Sequence, residues 1–236
     1  MAEKRKGVPG MEDLTVVVLS YEDVRRQMAR GALVVDIRTP QEFVYLHIRE
    51  SIPLAAPRFG FQLLSRGLLQ EVKRVVIVAQ SPVHGQVAAR EIDAVGIDVI
   101  GIFASLPRTW AEKGLPVQTG ELVFPDKFLT YIHDNPNVEI VDVREPAEQE
   151  RFPFPQVTKS LPFSHWPDGV DTLDASRPIL FLAGRDDRAI IAARDSMVKG
   201  LPRVGYLVGG YAAFQHPRSY DPKEAARTTA HHGVFI

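Results

Sequence analysis

"ALVVDIRTPQEF" (residues 32–43) and "VEIVDVREPAEQ" (138–149) share one pattern: an apolar run, then Asp-x-Arg-x-Pro-x-Glu. Asp142 follows Asp36 by 106 residues (142 − 36), and Arg144 follows Arg38 by the same interval. An apolar run closed by polar residues and followed by proline predicts a buried strand leading into a helix, since proline suits a helix's first turn. A second pair, "RVVIVAQSPVHGQVAA" (74–89) and "PILFLAGRDDRAIIAA" (178–193), aligns Ala79 with Ala183, 104 residues apart (183 − 79). "SLPRTW" (105–110) and "GGYAAF" (209–214) form a third pair at the same spacing. Three segments in one order at nearly one offset mark a tandem duplication of a unit of about a hundred residues.

Each unit alternates continuous apolar strands with helical patterns, which predicts an α/β fold with a parallel sheet covered on both faces. In the first unit the expected strands are 16–20, 32–37, 74–79 and 98–103. Helices are expected at 21–31, from Pro40, at 60–72, at 84–96 and at 106–114. In the second unit strands are expected at 121–124, 138–143, 179–183 and 203–208, with helices at 126–134 and 187–200. The expected organisation is a flexible arm (1–14), a first domain (15–113), a linker "GLPVQTGE" (114–121), a second domain (122–216) and a tail (217–236). In an open sheet of this kind ligands sit beyond the C-terminal strand ends, at the loops after Ala79 and Ala183.

Composition narrows the function classes. The net charge is −1, and the basic residues are scattered, so neither nucleic acid nor an anionic membrane is an expected partner. No apolar run reaches the ~18–20 residues that span a bilayer. The basic start lacks an apolar stretch and is not a secretory leader, so a cytoplasmic location is expected. There is no cysteine. Disulfides, thiolate nucleophiles and Cys-ligated metals are therefore excluded, and no cofactor is expected. His231, His232 and His216 lack metal-ligand spacing, so no metal site is expected either.

The Asp-x-Arg-x-Pro-x-Glu motif, "HIRESIPL" (47–54), the strand–loop–helix and the closing "GGYAAF" together resemble the rhodanese-like domains. The resemblance runs from about 15 to 215, as two consecutive copies. It implies, for each copy, a central parallel sheet with helices on both faces. Active members are sulfurtransferases: a cysteine opening the strand-to-helix loop takes sulfur from a donor such as thiosulfate and passes it on from a persulfide. The loop's N–H groups and an arginine cradle the anionic sulfur. Here that cysteine position falls on Ala79 in one copy and Ala183 in the other. Pro82, His84 and Gly85 stand where the family carries Gly, Arg and Ser. Arg188 keeps the place of the loop arginine, with Asp186 and Asp187 beside it. The second copy lacks a counterpart of His47-Ile48 and takes three extra residues to reach "SLPF" (160–163). The resemblance thus implies a catalytically inactive protein whose retained fold serves binding, regulation or assembly. The alternative is a sulfurtransferase-family enzyme whose native cysteine has been replaced.

The candidate ligand-binding residues are Gln80, Ser81, His84 and Gly85 in the first loop, and Gly184, Arg185, Asp186, Asp187, Arg188 and Ala189 in the second. Two arginines at a helix start fit a small oxyanion or an acidic segment of a protein partner. The competing reading makes Asp186 or Asp187 the cap of that helix. His84 has no Ser or Asp placed to complete a catalytic set and reads as an exposed loop histidine. Asp36 with Arg38, and Asp142 with Arg144, read as structural pairs that pin strand ends. Trp110, Trp166 and Phe214 read as packing residues.

Overall fold

The structure is a computed structural model and describes residues 15–54, 74–166 and 168–215. The arm, the helix expected at 60–72, the tail and the three C-terminal histidines lie outside the described residues. Eleven strands are described: β1 (Leu33–Asp36), β2 (His47–Ile48), β3 (Ile52–Pro53), β4 (Arg74–Val78), β5 (Asp98–Phe103), β6 (Val117–Gln118), β7 (Glu121–Val123), β8 (Glu139–Asp142), β9 (Lys159–Ser160), β10 (Ile179–Leu182) and β11 (Val204–Leu207). The α-helices are α1 (Tyr21–Ala29), α2 (Pro40–Tyr45), α3 (Pro82–Asp93), α4 (Phe128–Asp134), α5 (Pro146–Arg151), α6 (Asp186–Val198) and α7 (Gly210–Gln215).

Nine of the strands form two parallel sheets, ordered β3-β1-β4-β5 and β7-β11-β10-β8-β9. The registers repeat. Asp36 lies opposite Val78, and Asp142 lies opposite Leu182, so each motif aspartate closes its strand beside the start of a loop. Strand residues alternate between two apolar layers. Val35, Val75 and Ile77 enter one core of the first sheet, and Val34, Val76 and Val78 enter the other. In the second sheet Val141, Ile179 and Phe181 face one way, and Ile140, Leu180 and Leu182 the other. Burial on both faces is why these strands read as unbroken apolar runs rather than alternating ones.

Helix starts follow local chemistry. Ser20 caps α1 in a reciprocal capping box with Asp23, and Thr39 does the same for α2 with Glu42, Pro40 taking the first helical position. Several elements differ from the sequence expectation. The strand expected at 16–20 reduces to a single bridge, Val18 to Ile102, with Val17 and Val18 largely exposed. Among the described residues this edge pairs only with β5. The last helix of the first unit is a 3-10 turn, Pro107–Thr109. The stretch 114–121 is not a free connection: β6 pairs antiparallel with β2, and Gly120 donates to the Val44 carbonyl (2.7 Å).

Contacts between the two sheets' halves centre on α2. Phe43 and Val44 belong to the same apolar cluster as Val141, Phe181 and Met197. Gln41 donates to Asp186, Gln118 to the Met197 carbonyl, and Arg194 to the carbonyls of Glu50 and Ser51.

One duplicated pair of glycines gives a test of packing. A Cβ on Gly205 would lie 2.5 Å from the Glu121 backbone oxygen, whereas on its counterpart Gly101 it would meet the Leu19 side chain. A backbone strand cannot yield as a leucine can. Gly205→Ala is therefore expected to destabilise by about 1–3 kcal/mol or more, and Gly101→Ala by less. Equal losses in urea unfolding would contradict that account.

Candidate functional site

Both strand ends carry the same buried ion pair. Arg38 donates from Nε to Asp36 Oδ1 (2.9 Å) and from Nη2 to Oδ2 (2.6 Å), and its Nη2 also reaches the Leu46 carbonyl (2.7 Å). Arg144 repeats this on Asp142 (3.0 and 2.7 Å), with Nη1 on the Phe152 carbonyl (2.9 Å). Each guanidinium carbon sits 4.6 Å from an aromatic centroid, Trp110 for Arg38 and Tyr211 for Arg144. Burial pushes the Asp36 carboxyl above its ordinary value, against the pull of Arg38. The positional match of Trp110 to Phe214 therefore does not carry the role: Tyr211 does the stacking, while Phe214 packs on Phe128 and Phe154.

Ala79 and Ala183 occupy the loop starts as buried methyl groups. In the first loop Ser81 caps α3 by accepting from the His84 N–H, with Pro82 first in the helix. His84 thus lies in the first helical turn, half-buried, rather than on an exposed loop. Gly85 is buried, and a Cβ there would overlap Ile102. Gln80 donates to Glu42 Oε2 (2.6 Å).

The second loop is closed by its neighbours. The Tyr211 and Ala212 N–H groups donate to the Ala183 and Gly184 carbonyls (2.9 and 3.2 Å). Gly210, at φ +59°, leaves room only for a hydrogen: a Cβ would sit 2.4 Å from the Ala183 oxygen. Neither Asp186 nor Asp187 caps α6. Arg185 takes the cap position with no side-chain bond, and Asp186 is already helical. The Asp186 carboxylate turns instead to the Gly209 N–H and to Gln41 Nε2. The residue keeps some exposed surface, but its carboxylate end is enclosed, and burial pushes it up to about 6. Ala189 is buried.

Arg188 is not left open for an anion. Its Nη1 and Nη2 donate to both oxygens of Glu148 (2.6 and 2.7 Å). Those bonds hold the Glu148 carboxyl below, and the Arg188 guanidinium above, their ordinary values. Glu148 and its counterpart Glu42 are the site residues missed in the sequence. Each closes its motif and receives the loop's donor, Arg188 in one copy and Gln80 in the other. Their position at the end of a repeated motif was the available signal.

An open cleft of about 320 Å³ lies at the C-terminal edge of the first sheet, lined by Arg38, Glu42, Tyr45, Leu106, Pro107 and Arg108. None of the candidate ligand-binding residues lines it; Arg38, expected as a structural residue, does. Beside it His47 is buried, bonded through Nδ1 to the Phe43 carbonyl (2.9 Å) and stacked on the Phe43 ring; burial lowers it to about 4. It is neutral at physiological pH. Among the described residues no cluster of His, Asp or Glu could hold a metal ion, and no helix is long and apolar enough to cross a membrane.

No protein-family model and no curated protein matches the sequence. Solved structures do. A thiosulfate sulfurtransferase from Pseudomonas aeruginosa is similar over 90% of this chain at 15% identity and a TM-score of 0.38. The chain spans only 47% of that protein's length. The rhodanese-like domain of an Anabaena protein is similar over 41% of this chain and 74% of its own, at 20% identity and a TM-score of 0.37. Wild-type EanB is similar over 88% of this chain and 62% of its own, at 14% identity and a TM-score of 0.44.

Proposed function

We propose that this chain is a catalytically inactive tandem rhodanese-like protein that works as a binding, regulatory or assembly module. The observation that carries the reading is the combination of a duplicated Asp–Arg scaffold with alanine at both loop starts and no cysteine anywhere in the chain. A methyl group can neither attack sulfur nor hold a persulfide, and the thiolate is the reactive species in that chemistry. The second loop supports the reading further, since Glu148 takes up the charge of Arg188 and Asp187 adds another negative group.

The test is thiosulfate:cyanide sulfurtransferase activity of the wild type beside Ala79→Cys and Ala183→Cys. The wild type is expected to release no thiocyanate above background, and release would overturn the reading. Ala183→Cys is expected to stay at background as well, because its loop arginine is held by Glu148. Turnover there would show a second loop still shaped for a sulfur anion.

A further inference from the structure

The cleft on the first sheet, as the described residues line it, brings opposite charges together with an apolar wall. Arg108 follows β5 in the 3-10 turn and is exposed. It makes no ion pair or hydrogen bond to another described residue. Glu42 faces the same cleft from α2. All its bonds fall on one oxygen: Oε2 accepts from the Thr39 N–H (2.9 Å), the Thr39 hydroxyl (2.7 Å) and Gln80 (2.6 Å). Burial pushes this carboxyl up, but those donors outweigh it and hold it below its ordinary value, so it is ionised at neutral pH. No described residue donates to Oε1. Arg38, the third charged lining group, is already balanced by Asp36 and fixed on Trp110. It forms a rigid wall rather than a free cation.

Around these charges lie Tyr45, Leu106 and Pro107. Tyr45 and Leu106 are 70% and 59% exposed, high values for large apolar side chains. The volume of about 320 Å³ is at the lower end of the range for small-molecule sites. A purely anionic ligand would meet Glu42, and a purely cationic one would meet Arg108. A ligand carrying both charges on an apolar body satisfies every lining group.

We propose that this cleft binds a zwitterionic amino acid with an aromatic or large apolar side chain, its carboxylate on Arg108, its ammonium on Glu42 Oε1 and its side chain against Tyr45 and Leu106. The inference rests on the reading of the chain as a binding module and names the ligand class of one of its sites.

The experiment is calorimetric or NMR titration of the full chain with L-phenylalanine, 3-phenylpropionate (no ammonium) and phenethylamine (no carboxylate). L-Phenylalanine is expected to bind saturably, and each analogue about tenfold or more weaker, the worth of one charge-assisted contact. Arg108→Gln is expected to weaken L-phenylalanine by a similar factor and leave phenethylamine unchanged. This exposed position leaves the fold intact, which a matching thermal transition checks. No saturation by L-phenylalanine, equal binding of 3-phenylpropionate, or indifference to Arg108→Gln overturns the proposal. None of those results touches the inactive reading, which falls only to thiocyanate release by the wild type.

Discussion

Replacing Arg144 with alanine is expected to destabilise the fold by about 3–5 kcal/mol, a fall of roughly 6–20 °C in Tm for a chain of this size. The cause is what remains behind. Asp142 would stay buried with only the Arg144 backbone N–H as a donor, the Phe152 carbonyl would lose its partner, and Tyr211 would lose the cation over its ring. Arg38→Ala should behave alike in the first copy, where Asp36, Leu46 and Trp110 hold the same relations. The double variant Asp142→Leu/Arg144→Met should lie closer to the wild type than either single change, because no charge is then buried alone. Thermal and urea unfolding of the singles and the double measure this directly. A loss below about 1 kcal/mol for Arg144→Ala would place the pair with exposed salt bridges and remove its structural role.

That pair was legible in the sequence because its spacing is local. Asp and Arg two residues apart at a strand end, repeated at the same offset, can meet without knowledge of the tertiary fold. The strands were legible for a similar reason, since burial on both faces writes itself as an unbroken apolar run. What escaped were contacts across the chain. Glu148 and Arg188 are forty positions apart, and nothing local says that one neutralises the other. Asp186 looked like a helix cap because its type and position fit one. Its carboxylate turned away because Gly209 and Gln41, brought in by α7 and by α2, offered donors inside the fold. The cleft was invisible because Tyr45 and Arg108 come together only when β5 is laid beside the other strands.

Asp186→Asn is expected to stabilise the protein at neutral pH and to do nothing near pH 4. Burial pushes the native carboxyl up to about 6 from an ordinary value of 3.8, with Asp187 pushing the same way and the Gly209 N–H opposing. Between those two values the folded chain holds a proton that the unfolded chain has released, so stability falls as pH rises through that window. The contribution is fully present below about pH 4 and gone above about pH 6–7. A shift of about two units corresponds to roughly 3 kcal/mol, and the part of the residue that still meets water brings the expectation to about 1–3 kcal/mol. Asparagine keeps the geometry: Oδ1 still accepts from Gly209, and Nδ2 can donate to Gln41 once that amide turns its oxygen inward. The charge is removed while both hydrogen bonds remain. Tm measured from pH 4 to 8 should therefore show the two proteins together at the acid end and the variant several degrees higher at pH 7.5. Asp187→Asn, at an exposed position, removes only a neighbouring charge and should give a smaller gain over the same range. A gain independent of pH would point to packing rather than ionisation, and no gain at pH 7.5 would mean that Gly209 and Gln41 already compensate the buried charge in full.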